Sequence, residues 1–408
     1  MRIIGGLPEA MCRSEARCSN IRLKNASILA ISPLCYRDTK QSHVSLQAMK
    51  MPIEQIREEI SQTGNISFAR FMELALYCPE TGYYEKKKDI VGRQGDFITS
   101  VSVGSLFGEL LAYQFAMWLD ELKTRHEKLQ IIETGAHDGK LAADILNWLQ
   151  THRPDLFSTI EYVILEPSPA RQQWQQEKLM PFPNVRWRSA LAACQPCTGI
   201  MFSNELLDAF PVHRLGWDAA AKQWFEWGVG LIGDTFCWSR MPLLTLSLPS
   251  VITNLPDALL NVLPDNYTVE TSPAAKAWWR AAAGILAHGK LLAIDYGFTD
   301  DEMFSPARTK GTLRAYHRHR VTDDLLANPG EQDLTAHVNF SAIQKSGEAA
   351  GLRTETLCTQ PQFLTRILGK AVPEKIFASM DAKQIRQFQT LTHPDHLGRA
   401  FRVLVQSR

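Results

Sequence analysis

The sequence lacks several features that would assign a function at once. Its 44 lysine and arginine residues are balanced by 43 aspartate and glutamate residues, and the net charge of +1 argues against a broad nucleic-acid-binding or membrane-binding surface. No apolar run approaches the ~20 residues of a membrane-spanning helix, so membrane insertion is not predicted. The eight cysteines are scattered, and the Cys-x-x-Cys pair of Cys194 and Cys197 has no second ligand pair nearby, so no metal site is predicted.

What the sequence does contain is enough apolar material for a large core. The chain has 408 residues, 45% of them hydrophobic, which predicts a main domain with an added lobe. Short apolar segments near residues 130–134, 161–165, 184–188, 199–203 and 290–295 alternate with helical patterns. This alternation predicts an α/β fold with a mostly parallel central sheet and helices on both faces. The extended tail segments 353–358 and 401–406 are expected to complete the sheet.

A glycine turn follows the first predicted strand. The apolar run 129–134 contains Glu133, Gly135 comes directly after it, and Gly139 follows four residues later. Apolar residues then recur at helical spacing from Leu141, so both glycines lie on a strand-to-helix turn where the backbone can approach a ligand closely. The loop lacks the third glycine of a dinucleotide fingerprint. We interpret it as a loop for a small nucleotide cofactor; the alternative is a turn that only packs a helix on the sheet.

Polar and acidic side chains also follow the later strands. These residues are Glu166, Asn204, Glu205, Asp208, Asp295 and Tyr296. Because the carboxyl ends of parallel strands meet at one edge of a sheet, we expect these side chains to surround a ligand crevice there. An acid at the position of Glu166 is suited to hold a ribose diol through two hydrogen bonds.

Six short segments occur in a fixed order along residues 53–408. They are Pro-Glu-Thr-Gly-Tyr-Tyr at 79–84, Gly-Asp-Phe-Ile-Thr-Ser at 95–100, Phe-Gly-Glu-Leu at 107–110, Asn-Glu-Leu-Leu-Asp-Ala-Phe-Pro-Val at 204–212, Ile-Asp-Tyr-Gly at 294–297 and Asp-Leu-Thr-Ala-His-Val at 333–338. Together they resemble the MidA-like S-adenosylmethionine-dependent methyltransferases, a family that includes the mitochondrial complex I assembly methyltransferase. The sequence departs from the family pattern at residues 136–138, where Ala-His-Asp stands in place of Pro-Gly-Arg.

The resemblance implies a Rossmann-like class I methyltransferase fold and S-adenosyl-L-methionine as cofactor. The cofactor-binding residues expected on this basis are Gly95, Asp96, Phe97, Thr99, Ser100, Glu133, Gly135, Gly139, Glu166 and Asn204.

The expected reaction is methyl transfer to a nitrogen of a protein substrate, with arginine as the acceptor. Carboxylates are natural holders of the planar, cationic guanidinium group. We expect Glu205 and Asp208 to be catalytic by orienting the acceptor, and Asp295, Tyr296 and Glu270 to bind the substrate. The resemblance points to a subunit of the respiratory complex I type as one such substrate.

Two other functions are compatible with the same sequence. One is a non-catalytic assembly or binding factor that keeps the methyltransferase fold. The other is a small-molecule methyltransferase, whose enclosed apolar pocket would use Trp224, Phe225 and Trp227.

The first fifty residues differ from the rest of the chain, being basic, poor in acids and without sustained periodicity. We expect residues 1–50 to be a disordered leader or a mis-assigned gene start, and residues 51–128 to form a helical cap and cofactor loop. Residues 129–408 are expected to form the methyltransferase domain, with an inserted lobe at about 212–270. We predict a bacterial cytoplasmic enzyme; the alternative is a transit peptide that directs the chain to the mitochondrial matrix.

Overall fold

The computed structural model describes residues 51–86, 99–123, 128–243, 250–253, 255–305, 308–317 and 320–408. The leader 1–50 lies outside the described residues, as do Gly95, Asp96 and Phe97 of the expected cofactor loop.

The α-helices in the described part of the chain are α1 (Pro52–Thr63), α2 (Phe68–Tyr77), α3 (Ser100–Val103), α4 (Leu106–Lys123), α5 (Lys140–His152), α6 (Pro154–Phe157), α7 (Pro169–Leu179), α8 (Ser250–Thr253), α9 (Asp257–Leu260), α10 (Pro273–Ile285), α11 (Asp300–Met303), α12 (Phe340–Ala349), α13 (Gln360–Ala371) and α14 (Ala382–Thr392). Short 3₁₀ turns cover Tyr83–Glu85, Leu191–Ala193 and Leu207–Ala209.

The strands are β1 (Ile66–Ser67), β2 (Leu129–Thr134), β3 (Ile160–Leu165), β4 (Val185–Arg188), β5 (Cys197–Asn204), β6 (His213–Asp218), β7 (Gln223–Ile232), β8 (Thr235–Met241), β9 (Thr268–Thr271), β10 (Leu286–Phe298), β11 (Arg314–His317), β12 (Arg320–Thr322), β13 (Asp333–Thr335), β14 (Val338–Asn339), β15 (Arg353–Thr359) and β16 (Phe401–Ser407).

The central sheet has the strand order β15-β16-β10-β5-β2-β3-β4, and β14 pairs with the end of β10. Strands β10, β5, β2, β3 and β4 run parallel, whereas β16 is antiparallel to both of its neighbours. The predicted α/β fold with a mostly parallel sheet is therefore confirmed, and the two tail segments complete it as β15 and β16. This topology brings the carboxyl ends of β2, β3, β5 and β10 to one edge.

Helices cover both faces of this sheet because successive strand residues point to opposite sides. In β2, Ile131 packs into the core that contains α4, α5 and α13, whereas Ile132 packs into the core that contains α10 and α12. Ser272 caps the N-terminus of α10, since its hydroxyl accepts a hydrogen bond from the Ala275 amide at 3.1 Å. Trp279 of α10 is fully buried against the sheet. Two cores, one on each face, thus fix the sheet and the loops at its edge.

A second, antiparallel sheet has the order β1-β7-β6-β9, with β8 paired to β7. Strand β1, near the N-terminus of the described chain, pairs with β7 in this sheet. Helices α1 and α2 share a hydrophobic core with Val229 of β7 and with residues of the small sheet β12-β11-β13, such as Ala315 and Leu334. Helices α1 and α2, the second sheet and the small sheet therefore form one packed unit beside the central sheet. Among the described residues, no helix is both long and apolar enough to span a membrane.

Candidate functional site

A cavity of about 710 Å³ opens at the carboxyl ends of β2, β3 and β5. Its volume lies within the range of small-molecule binding sites. Residues 133–138, 165–171 and 204–206, which lie at or just after the ends of these three strands, form one part of its lining. Further lining residues come from the segments 77–85 and 99–102. The crevice expected at this edge of the sheet is present.

The end of β2 contributes Glu133 and Gly135 to the cavity. Glu133 is 2% exposed, and the Tyr162 hydroxyl donates a hydrogen bond to its Oε2 at 2.7 Å. Burial raises the pKa of Glu133 to about 7, although the bond from Tyr162 acts in the opposite direction. Gly135 has a φ of +81°, and a Cβ atom placed there would lie 3.1 Å from Leu206 Cδ1. The turn therefore needs glycine both for its backbone conformation and for the close approach of the next loop.

Gly139, the second glycine of the loop, lies at the start of α5. It has a φ of +82° and precedes α5, and a Cβ atom there would lie 3.2 Å from Leu179 Cδ1 of α7. It does not line the cavity. Gly139 therefore starts a helix and allows a close packing contact, and the cofactor role expected for it stays a prediction. Between the glycines, His137 has a φ of +46° and lines the cavity, and its carbonyl oxygen accepts a bond from Gln175.

Glu166 lies at the end of β3, lines the cavity and is 3% exposed. Its Oε1 accepts a hydrogen bond from the Ser168 amide at 2.9 Å, and its Oε2 accepts one from Gln175 Nε2 at 3.2 Å. Burial raises the pKa of Glu166, and the positive charge of Arg171 acts against this rise. The two bonds fix the carboxylate at the cavity wall, and each oxygen keeps capacity for a further donor.

Asn204 and Glu205, at the end of β5, form the most polar part of the cavity. Asn204 Nδ2 donates to Glu205 Oε1 at 3.0 Å, and the Ser100 amide donates to the same oxygen at 3.2 Å. Asn204 Oδ1 and Glu205 Oε2 are buried and have no hydrogen-bond partner among the described residues. Burial, together with the nearby Asp208, raises the pKa of Glu205 to about 8. Glu205 also has a φ of +51°, a strained conformation for a non-glycine residue.

Asp295 and Asp208 are buried near Glu205 and do not line the cavity. Asp295 is 1% exposed, and both of its carboxylate oxygens accept backbone N–H bonds. Asp208 is 7% exposed, and burial with the neighbouring Asp295 and Asp333 raises its pKa well above the usual range. Tyr296 packs on Phe401 with ring centroids 4.0 Å apart and is also absent from the lining. Asp208, Asp295 and Tyr296 thus lie outside the lining of this cavity, and the substrate roles expected for them stay predictions.

Glu270 is not brought to the cavity either. Its strand β9 belongs to the antiparallel sheet, where Arg214 Nε lies 3.3 Å from Glu270 Oε1. The amide and hydroxyl groups of Thr312 donate to the other carboxylate oxygen at 2.8 and 3.1 Å. A buried ion pair and two hydrogen bonds use this carboxylate, and the substrate role expected for Glu270 stays a prediction. The aromatic group of Trp224, Phe225 and Trp227 lies in β7 and does not line the cavity.

Of the expected cofactor loop, Thr99 and Ser100 are described. Thr99 lines the cavity and caps α3 by accepting a bond from the Ser102 amide at 3.1 Å. The Ser100 hydroxyl donates to Gln360 Oε1 at 3.1 Å, and the Ser100 amide donates to Glu205 Oε1 at 3.2 Å. The loop thus contacts the strand-end carboxylate directly.

Several residues for which the sequence predicts no role also line the cavity, among them Tyr77, Tyr84 and Arg171. The Tyr77 hydroxyl donates to the Ala209 carbonyl at 2.9 Å, and the Tyr84 hydroxyl donates to Asp333 Oδ1 at 2.8 Å. Arg171 donates from Nε and Nη2 to the Tyr84 carbonyl, at 3.0 and 2.8 Å. Tyr83 and Tyr84 are conspicuous in the segment 79–84 of the sequence. The partner of the Tyr84 hydroxyl, Asp333, lies far along the chain, so no local pattern identifies it.

Comparison with known proteins extends this description. A family described as "Putative S-adenosyl-L-methionine-dependent methyltransferase" matches residues 110–358. A mitochondrial protein arginine methyltransferase of Danio rerio is 28% identical over 400 residues, which cover 89% of this chain and 88% of that protein. Its homologue in Drosophila melanogaster is 26% identical, with 86% and 83% covered. A crystal structure of a Burkholderia thailandensis protein bound to S-adenosyl-homocysteine is 31% identical with a TM-score of 0.73, covering 88% of this chain and 92% of that one.

Proposed function

Because the chain belongs to this family of S-adenosyl-L-methionine-dependent methyltransferases, we propose that it transfers the methyl group to an arginine side chain of a protein substrate. The family and the class I fold confirm the resemblance noted in the sequence. S-adenosyl-L-methionine is the cofactor, since a similar structure holds its demethylated product. Methyltransferase activity follows from the family, whereas the acceptor is part of the proposal.

The cavity suits a cofactor with a ribose, an adenine ring and an amino-acid end. We assign the ribose hydroxyls to Glu166, whose fixed carboxylate can accept two hydrogen bonds. Gly135, Glu133 and Thr99 would lie against the rest of the cofactor, because they line the same cavity. When bound, the cofactor supplies an electrophilic methyl group; these protein residues supply position and exclude water.

The observation that carries the proposed acceptor is the pair of unpartnered oxygens at the end of β5. Asn204 Oδ1 is an acceptor, and Glu205 Oε2 is one when the carboxyl group is ionised; both oxygens are buried, and both belong to residues that line the cavity. A buried acceptor without a donor costs about 1–3 kcal/mol, so a ligand rich in donors is favoured there. The guanidinium group of arginine carries five N–H donors and no acceptor. Its positive charge also complements the Glu205 carboxylate.

Glu205 also accepts the proton that methyl transfer releases. The acceptor nitrogen forms one bond to the methyl carbon, the sulfur–carbon bond breaks, and the nitrogen loses one proton. Glu205 hydrogen-bonds the guanidinium while the nitrogen attacks in line, and its raised pKa suits it to take that proton near neutral pH. Asn204 fixes the other carboxylate oxygen and keeps the group oriented.

The relatives support a protein as the substrate, since the proteins of Danio rerio and Drosophila melanogaster are named protein arginine methyltransferases. A respiratory complex I type subunit is one substrate that we include in the proposal. Both named relatives are mitochondrial. We therefore keep the mitochondrial matrix beside the bacterial cytoplasm as a proposed location.

The experiment is a transfer reaction with trideuteromethyl S-adenosyl-L-methionine and a cell extract from the host. Mass spectrometry of the digested proteins locates each heavy methyl group. The proposal predicts labelled arginine that is lost with the Glu166→Ala variant, which lacks the ribose contact. Label confined to small molecules would support the alternative of a small-molecule methyltransferase, and the absence of label would favour a non-catalytic binding factor.

A further inference from the structure

The carboxylate of Asp295 accepts four backbone N–H bonds in the buried layer behind the cavity. Its Oδ2 accepts bonds from three consecutive amides, those of Leu206, Leu207 and Asp208, at 3.1, 2.7 and 3.3 Å. Its Oδ1 accepts a bond from the Tyr296 amide at 2.8 Å. A carboxylate that binds four amides is a strong local anchor, because each bond is charge-assisted.

The anchored segment is the turn that directly follows Glu205. The Glu205 amide donates to the Ile294 carbonyl at 2.9 Å, so this residue is held to β10 on one side and followed by the three bound amides on the other. Between these fixed points Glu205 adopts its φ of +51°. A strained residue keeps such a conformation only where its surroundings hold it there.

We propose that Asp295 is a positioning residue for methyl transfer, which clamps the turn 206–208 so that Glu205 presents its carboxylate to the cavity. This inference rests on the proposed role of Glu205 as the acceptor residue. Asp295 itself does not contact either substrate, since it is buried and does not line the cavity.

Aspartate is the residue type that this position requires. An asparagine has the same shape but only one oxygen, and its NH2 group would face an amide donor instead of accepting from it. Either the Tyr296 amide or the three turn amides would then lose their acceptor. The turn would relax, and Glu205 would move relative to the acceptor.

The test is a double-mutant cycle between Asp295→Asn and Glu205→Gln in the full chain. With an arginine peptide as substrate, Asp295→Asn should lower kcat/KM on the order of 100-fold, as expected for a misplaced reacting group, while the Kd for S-adenosyl-L-methionine stays unchanged. In the Glu205→Gln background the same substitution should cause no further loss. The matched control is Asp218→Asn, because Asp218 also accepts bonds from two consecutive amides but lies at the end of β6, in the second sheet.

The outcomes separate the two proposals. Full activity of Glu205→Gln overturns the role of Glu205, whatever Asp295→Asn does. A damaged Glu205→Gln with a fully active Asp295→Asn, or with losses that add, overturns the role of Asp295 alone. If Asp295→Asn does not fold, Asp295→Glu keeps both carboxylate oxygens but displaces them by one methylene group from the four amides. Its loss must also vanish in the Glu205→Gln background, and additive losses overturn the proposal.

Discussion

The affinity for an arginine peptide should depend on pH through Glu205. Burial and the nearby Asp208 raise the pKa of Glu205 to about 8, and no basic side chain neutralises it in the described structure. A guanidinium group stays charged throughout the accessible range, so it binds best to the ionised carboxylate. Below the pKa, the ionised fraction falls about tenfold per pH unit.

The pKa of Glu205 sets the size of the change in peptide affinity with pH. At pH 6, two units below the pKa, ionising Glu205 costs roughly 2.7 kcal/mol, since one pKa unit corresponds to about 1.4 kcal/mol. The Kd of the peptide should therefore be about 100-fold weaker at pH 6 than at pH 9. At pH 7, where about nine-tenths of the Glu205 carboxyls are protonated, binding should release about 0.9 proton.

The assay is calorimetric titration of the protein with an arginine peptide between pH 6 and pH 9, with S-adenosyl-homocysteine saturating. Titrations in buffers of different ionisation enthalpy count the released protons. The Glu205→Gln variant is the control, because a neutral amide removes the titration and keeps the shape. Burial also raises the pKa of Asp295 and of Glu133 to about 7, and their contribution remains in that variant. A wild-type Kd that does not change between pH 6 and pH 8 refutes the reasoning.

Three further predictions concern stability and cofactor binding. Glu166→Ala should lose calorimetric binding of S-adenosyl-L-methionine, because the wall carboxylate assigned to the ribose is removed; an unchanged Kd contradicts that assignment. Gly199→Ala should lower the free energy of unfolding by at least ~2 kcal/mol in urea, because the new Cβ would overlap the backbone oxygen of Gln130 in the neighbouring strand. At Gly233, which has a φ of +59°, a new Cβ would have no atom within 4 Å, so Gly233→Ala should lower the free energy of unfolding by only ~1 kcal/mol. Equal losses of stability in the two variants contradict the packing argument. The ligand-free protein should have a lower Tm at pH 8 than at pH 6. Because the pKa values of Glu205 and Asp295 are raised in the folded protein, the folded state binds more protons than the unfolded chain, and its stability falls as the pH rises through those values. Glu205→Gln should make this fall in Tm smaller, and a Tm that rises contradicts the prediction.

The strands of the central sheet could be predicted because their signal is local. An apolar run that ends in an acid and a glycine turn, as around Glu133 and Gly135, is visible within about ten residues. Glu166 and Glu205 line the cavity for the same reason, since each directly follows a parallel strand.

The roles of the other acids could not be read from the sequence. The pattern that places Asp295 at a strand end does not tell whether its oxygens face a ligand or the amides of a turn 87–89 residues earlier. Glu270 precedes a helix in the sequence, but its strand joins the second sheet, and its partner Arg214 comes from a neighbouring strand. Long-range hydrogen bonds decide which carboxylates remain free for a ligand.

We propose that Glu205 binds the methyl acceptor in a cavity that holds S-adenosyl-L-methionine. The most direct test of this proposal measures two quantities on the Glu205→Gln variant: the calorimetric Kd for S-adenosyl-L-methionine and the rate of heavy-methyl transfer to an arginine peptide. We predict an unchanged Kd and a transfer rate reduced on the order of 100-fold or more. A variant that binds the cofactor and methylates arginine at the wild-type rate would contradict the account.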